Sequence, residues 1–368
     1  MNRTPVTLAS ELHDPFLMES GRRVKTPEEW PERRAEIAGV IQSVMYGKLP
    51  PAPDAPRLET IRDGRASALG GARHNQVKIF PFADSDFSFL LHLYLPGKAP
   101  DKFPVILSGD GCWHNASPEV IQSVLGRGYA LLVFNRCEIV PDVPPGARDG
   151  VFQRRFPGSD FGALAAWAWG YHRVMDILPE FPELDAARVA VAGHSRGGKA
   201  SLLAGALDER IAVVSANNSG AGGAGCERFK GPGAESLDAM LGGGLAAWFT
   251  PALGKYRGKM GELPMDQHFV KALCAPRPLL TTEALGDLWA NPSGTWLTHL
   301  AAREVYAFLG AENAIGVHYR EGGHRHGLDD FNVLLDFCDL HFFKKPADMD
   351  FGKPPAENLP GAFSWRGP

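Results

Sequence analysis

Gly193-His194-Ser195-Arg196-Gly197 forms a G-x-S-x-G pentapeptide. A β-branched run, Val189-Ala190-Val191-Ala192, precedes it, and small and apolar residues at helical spacing follow through Leu207. A serine at so tight a strand-to-helix bend reads as a nucleophile elbow. The glycines remove Cβ clashes, so the strained turn can lift the Oγ into the open. The helix behind it would aim free N–H groups and a positive dipole end at a developing oxyanion. The chemistry this supports is covalent acyl transfer through serine.

A serine needs a base, and the base needs an orienting acid, in this architecture in the chain order serine, acid, histidine. Of twelve histidines, His324 and His326 lie in "REGGHRHGLDDF", between the last strand expected and the final helix. His324, directly after Gly322-Gly323, is the first choice and His326 the competitor. His194, His268, His299 and His318 read as structural. His324 and His326 have no accompanying carboxylate and histidine set at ligand spacing, so no metal is expected. "PRPLLTTEALGDLWANP" offers two acids, Glu283 and Asp287. Glu283 falls within or at the edge of a strand. Asp287 follows a glycine in the loop beyond it, where a carboxylate can reach the histidine, and is preferred.

The surrounding pattern is that of an α/β protein. Residues 1 to about 65 read as a polar N-terminal arm, with a helix opening at "TPEEWPERRAEI". "HNQVKIFPF" and "SFLLHLYLPG" predict a hairpin. Then "FPVILSGDG", "YALLVFN", 188–192, 211–218, 277–284 and 315–323 predict short buried strands. "FGALAAWAWGYHRVMDIL" (161–178), the segment after Ser195 and "LDDFNVLLDFCDLHFF" predict helices between or after them. Alternation of this kind implies a mainly parallel sheet with helices on both faces, a three-layer α/β arrangement over residues 66–345. Residues 219–270 read as an insertion over the sheet and 346–368 as a C-terminal tail.

Composition bounds the rest. The 368 residues are 44% hydrophobic and 22% charged, ordinary for a globular enzyme. A net charge of −4 gives no reason to expect a nucleic-acid partner. The five cysteines show no CxxC pair, which argues against a zinc knuckle or dense disulfide framework. The N-terminus lacks an apolar targeting segment and no run approaches a membrane span, so the chain as written reads as soluble and unexported, with no membrane partner; a signal peptide already removed would leave the same picture, and the location stays open. A monomer with no cofactor is expected.

Several motifs in order, "GHSRGGKA", "NNSGAGGAG", "LPMDQH", "APRPLL", "GDLWANP" and "REGGH", resemble the bacterial branch of the glucuronoyl esterases, carbohydrate esterase family 15. "DPF…TPEEW…RR…MYGKLPPAP" extends the resemblance over about residues 13 to 343. It implies an α/β-hydrolase that cleaves esters of (4-O-methyl-)glucuronic acid, such as those linking xylan side chains to lignin alcohols. Ser195 then matches the nucleophile, His324 the base and Arg196 an arginine that stabilises the oxyanion. Lys199 and Glu235 match residues that bind sugar hydroxyls, and Trp289 the tryptophan against which the sugar packs. Family members are often secreted or periplasmic. One departure is informative: members that carry the acid after the sixth strand have it where this chain has Asn218, which cannot stabilise an imidazolium by charge. That again favours Asp287. The competing functions are a broader carboxylesterase or acetyl esterase on the same residues, a peptidase, and a catalytically dead carbohydrate-binding protein.

Overall fold

The run Val189-Ala190-Val191-Ala192 lies inside the strand Leu184–His194, and its side chains alternate between two apolar layers. Val189 and Val191 pack with the helices Ala163–Ile177, Arg196–Leu207 and Gln267–Cys274. Ala190 and Ala192 pack with the helices Pro118–Gly126 and Leu328–Phe343. The period-two alternation of a strand thus divides one sequence run between the two faces of a sheet. The computed structural model describes residues 8–53, 55–97, 101–114, 116–143, 150–355, 359 and 361–368.

The strands are β1 (Arg57–Arg62), β2 (Arg65–Ala66), β3 (Ala72–Phe80), β4 (Phe89–Leu95), β5 (Phe103–Ser108), β6 (Ala130–Phe134), β7 (Leu184–His194), β8 (Val213–Asn217), β9 (Leu279–Ala284) and β10 (Ile315–Arg320). They form one sheet in the order β1-β3-β4-β6-β5-β7-β8-β9-β10, with β2 paired to β3. From β6 to β10 every pairing is parallel, whereas β1, β3 and β4 join antiparallel. Strands β5, β6, β8 and β9 are buried along their whole length; β5 and β6 read as near-continuous apolar runs, whereas β8 and β9 also bury Ser215, Asn217, Thr281, Thr282 and Glu283. This is the expected α/β-hydrolase fold.

The sheet begins earlier than expected. β1 lies inside the stretch read as an arm and pairs with β3 at the sheet edge. Its sequence, Arg-Leu-Glu-Thr-Ile-Arg, is mostly exposed, so no buried face marks it as a strand. The rest of the arm packs on the domain. Thr26 opens a turn (Pro27–Glu29) that leads into the helix Trp30–Ile41. Arg34 donates to the carbonyls of Ala206 and Leu273, and Trp365 of the tail donates to Leu12 at 2.7 Å. Within 219–270, Thr250 N–H bonds to Met45, fastening this segment to the arm. The five cysteines are free thiols, and among the described residues no helix is long and apolar enough to cross a membrane. The loops after β5 to β10 all open at the carboxyl edge of the parallel strands, where such sheets bind ligands.

Candidate active site

Ser195 has φ 53° and ψ −122°, a strained conformation at the start of the helix Arg196–Leu207. Its N–H bonds to Asn217 at 2.8 Å and its carbonyl accepts the first helical bond from Lys199. The flanking glycines are required by space. A Cβ on Gly193 would run into the Gly197 carbonyl, and one on Gly197 into the Asp110 carboxylate. Asp110, buried after β5, also accepts the His194 N–H at 2.7 Å and pairs with the buried Arg136 after β6. Neither Asp110 nor Arg136 stood out in the sequence. The available signal was a charged residue directly behind each of two buried strands, in "SGDG" and "FNRCE".

The loops after β9 and β10 are stitched together. Leu285 N–H bonds to Arg320 at 2.8 Å and Gly286 N–H to Gly322 at 3.0 Å. That pairing brings His324 to Asp287: Nδ1 donates to Oδ2 at 2.5 Å. The Asp287 side chain is 3% exposed and that of His324 40%, so the carboxylate is sealed while the ring faces the opening. Glu283 points elsewhere. It is fully buried, accepts the Thr295 hydroxyl at 2.9 Å, and burial pushes its acid up to about 8. Asn218 accepts the Ala284 N–H at 2.8 Å through Oδ1, and its Nδ2 has no hydrogen-bond partner.

His326 is buried and stacks on Phe331 with ring centres 4.4 Å apart. Burial first, and then the Arg320 charge, pull its pKa down to about 3, so it stays neutral in the folded protein. His194 does more than fill space: its ring lies 4.4 Å from that of His324 and 5.8 Å from that of His326. Its Nδ1 donates to Asn217 Oδ1 at 2.6 Å, and burial together with the two neighbouring histidines lowers its pKa to about 3. His268 and His299 are buried and lowered by desolvation, and His318 is half-buried on β10.

These buried rings carry a pH dependence. Between the ordinary histidine value near 6.5 and about 3, the unfolded chain binds protons that folded His194 and His326 refuse. Stability from these groups is fully present above pH ~6.5 and falls on acidification through that window. Thermal melts from pH 7.5 to 4.5 should therefore show a falling Tm, with a shallower slope in His326→Phe, which keeps a ring against Phe331. Because His326 stays neutral, His326→Phe should retain at least about a third of wild-type kcat, whereas His324→Ala should lose roughly a thousandfold or more. The opposite ranking would transfer the base to His326.

Arg196 is half-exposed and lies between the indoles of Trp113 (5.6 Å) and Trp248 (4.8 Å), with NH1 on Asp142 at 3.0 Å. Lys199, one turn beyond Ser195, is on the same side of the helix but only 2% exposed. Its Nζ donates to the carbonyls of Ser219 and Ala221 and to Glu235, each at 2.6 Å, so all three protons are engaged. It thus holds Glu235 and the turn after β8. Glu235 N–H in turn bonds to the Trp289 carbonyl at 2.9 Å. Trp289 is 56% exposed and unburdened by core packing. Among the described residues no group of three or more His, Cys, Asp or Glu side chains could hold a metal ion.

The sheet order, with the elbow behind its central parallel strand, makes the chain an α/β-hydrolase. The family model described as glucuronyl esterase, fungi, matches residues 82–310. The chain is 30% identical over 390 residues to carbohydrate esterase MZ0003 from an unknown prokaryotic organism, covering 90% of this chain and 89% of that one. It is 31% identical to 4-O-methyl-glucuronoyl methylesterase 1 of Wolfiporia cocos, over 91% of this chain and 80% of the relative. Among solved structures, a family 15 glucuronoyl esterase from Caldicellulosiruptor kristjansonii superposes with a TM-score of 0.85 at 30% identity, over 99% of this chain and 98% of that one. The protein belongs to the glucuronoyl esterases, carbohydrate esterase family 15, and is a carboxylic ester hydrolase.

Proposed function

We propose that the protein hydrolyses esters of (4-O-methyl-)D-glucuronic acid, such as lignin–carbohydrate links on glucuronoxylan, through Ser195, His324 and Asp287. Ser195 Oγ attacks the uronate ester carbonyl while His324 Nε2 takes its proton. The Asp287 carboxylate stabilises the imidazolium so formed. Arg196 and the free N–H groups at the start of its helix hold the negative oxygen of the tetrahedral intermediate. The intermediate collapses, the C–O bond to the alcohol breaks, and the alcohol leaves with the proton from His324. Water, deprotonated by the same ring, then attacks the glucuronoyl-serine and releases the acid with Ser195 restored.

The observation that carries the sugar assignment is the linked set Lys199, Glu235 and Trp289 beside the elbow. Lys199 uses one Glu235 oxygen, which leaves the other oxygen to accept a sugar hydroxyl. The exposed indole of Trp289 offers a face for the pyranose and an N–H donor. The test compares benzyl glucuronate with para-nitrophenyl acetate, in wild type and in Trp289→Ala. Because Trp289 is exposed, its loss should leave the fold intact. The expected result is strong preference for the glucuronate, with KM for it alone raised roughly tenfold, about 1.4 kcal/mol of sugar packing. Equal handling of both esters, unchanged by the substitution, would favour a broad carboxylesterase.

A further inference from the structure

Arginine is a flexible side chain, and one used on an oxyanion gains from being fixed before the charge appears. Arg196 is fixed by an unusual partner set. Its NH1 donates to Asp142 Oδ2 at 3.0 Å, and Trp248 Nε1 donates to the other oxygen, Oδ1, at 3.1 Å. The same Trp248 ring lies 4.8 Å from the guanidinium carbon, with Trp113 at 5.6 Å. Asp142 is also 3.6 Å from Arg136 NH2, and Arg136 pairs with Asp110, which holds the His194 N–H. Charges therefore alternate from Asp110 through Arg136 and Asp142 to Arg196, and the chain ends on a cation beside Ser195. With NH1 taken by Asp142, Arg196 Nε is left buried with no hydrogen-bond partner.

We infer that Asp142, on the loop after β6, is a positioning residue for this reaction: held by Trp248 and Arg136, it orients Arg196 toward the oxyanion. The inference rests on the role proposed above for Arg196. Asp142 touches no reacting atom, so its whole catalytic effect passes through Arg196.

That dependence can be measured with a double-mutant cycle on benzyl glucuronate. Arg196→Ala should lower kcat roughly a hundred- to a thousandfold. Asp142→Ala should lower kcat roughly ten- to a hundredfold with KM within about threefold, because only the transition-state contact is impaired. The double variant should match Arg196→Ala within about twofold. Trp248→Phe, which keeps the ring but removes the donor to Asp142, should give a smaller kcat loss that vanishes in the Arg196→Ala background. This conservative variant carries the test if Asp142→Ala does not fold. Losses that multiply in the double variant, or full activity in both Asp142→Ala and Trp248→Phe while Arg196→Ala is impaired, would overturn the inference. An unimpaired Arg196→Ala would instead remove the oxyanion role of Arg196, and the inference with it.

Discussion

Ser195→Ala is expected to lower kcat for benzyl glucuronate by roughly a hundred-thousandfold or more, leaving only weak acceleration from the oxyanion donors and binding. The reason is mechanistic rather than structural. The serine hydroxyl is the only atom removed, the strained backbone at φ 53° is set by Asn217 and the helix behind it, and alanine adds no bulk. KM should change little and the melting temperature should hold or rise, because a strained functional residue is being relieved of its polar group. Mass spectrometry after rapid mixing should find a glucuronoyl adduct on wild type and none on the variant. A variant retaining a tenth of the activity would sink the covalent mechanism and move the chemistry to a water activated elsewhere.

Asp287→Ala carries the second largest effect, roughly ten-thousandfold in kcat. In the mechanism proposed above, the buried carboxylate fixes the His324 tautomer through Nδ1 and supplies the charge that stabilises its imidazolium; among the described residues no other carboxylate pairs with His324. Two controls make the assignment specific. Asn218→Ala removes a side chain engaged with Ala284, so it should cost some stability while kcat stays within about threefold. Glu283→Gln should also be nearly silent in kcat at pH 7, because burial pushes the acid up to about 8 and the native group is already neutral there. If Glu283→Gln or Asn218→Ala instead abolished turnover while Asp287→Ala kept it, the acid would have to be reassigned.

Much of this site was legible in the chain because its signals are local. The elbow is a matter of backbone sterics over five residues: Gly193 and Gly197 are where a Cβ would collide, and the serine between them takes the strained turn. The sheet was legible chiefly because β5 and β6 are covered on both faces and run almost wholly apolar, in FPVILS and ALLVF. β1 was not, since an exposed edge strand needs no apolar pattern. Asp287 could be preferred over Glu283 by its place beyond the strand end, a question of reach.

What the sequence left open turns on burial and on pairing across strands. His324 and His326 are two residues apart and chemically identical; only the closed pocket against Phe331 keeps one neutral and the open loop leaves the other beside Asp287. Lys199 was matched to a sugar-binding residue by resemblance alone; the partners its Nζ meets, Ser219, Ala221 and Glu235, lie on the segment after the next strand and could not be read from its own helix. The chain Asp110–Arg136–Asp142–Arg196 joins loops after β5, β6 and β7 that are neighbours only through sheet order. The turn, the periodicities and the residue types can be read along the chain, because each depends on interactions over a few residues. Which charges meet and which are sealed from water emerges only on folding, because both follow from contacts between segments far apart in the chain.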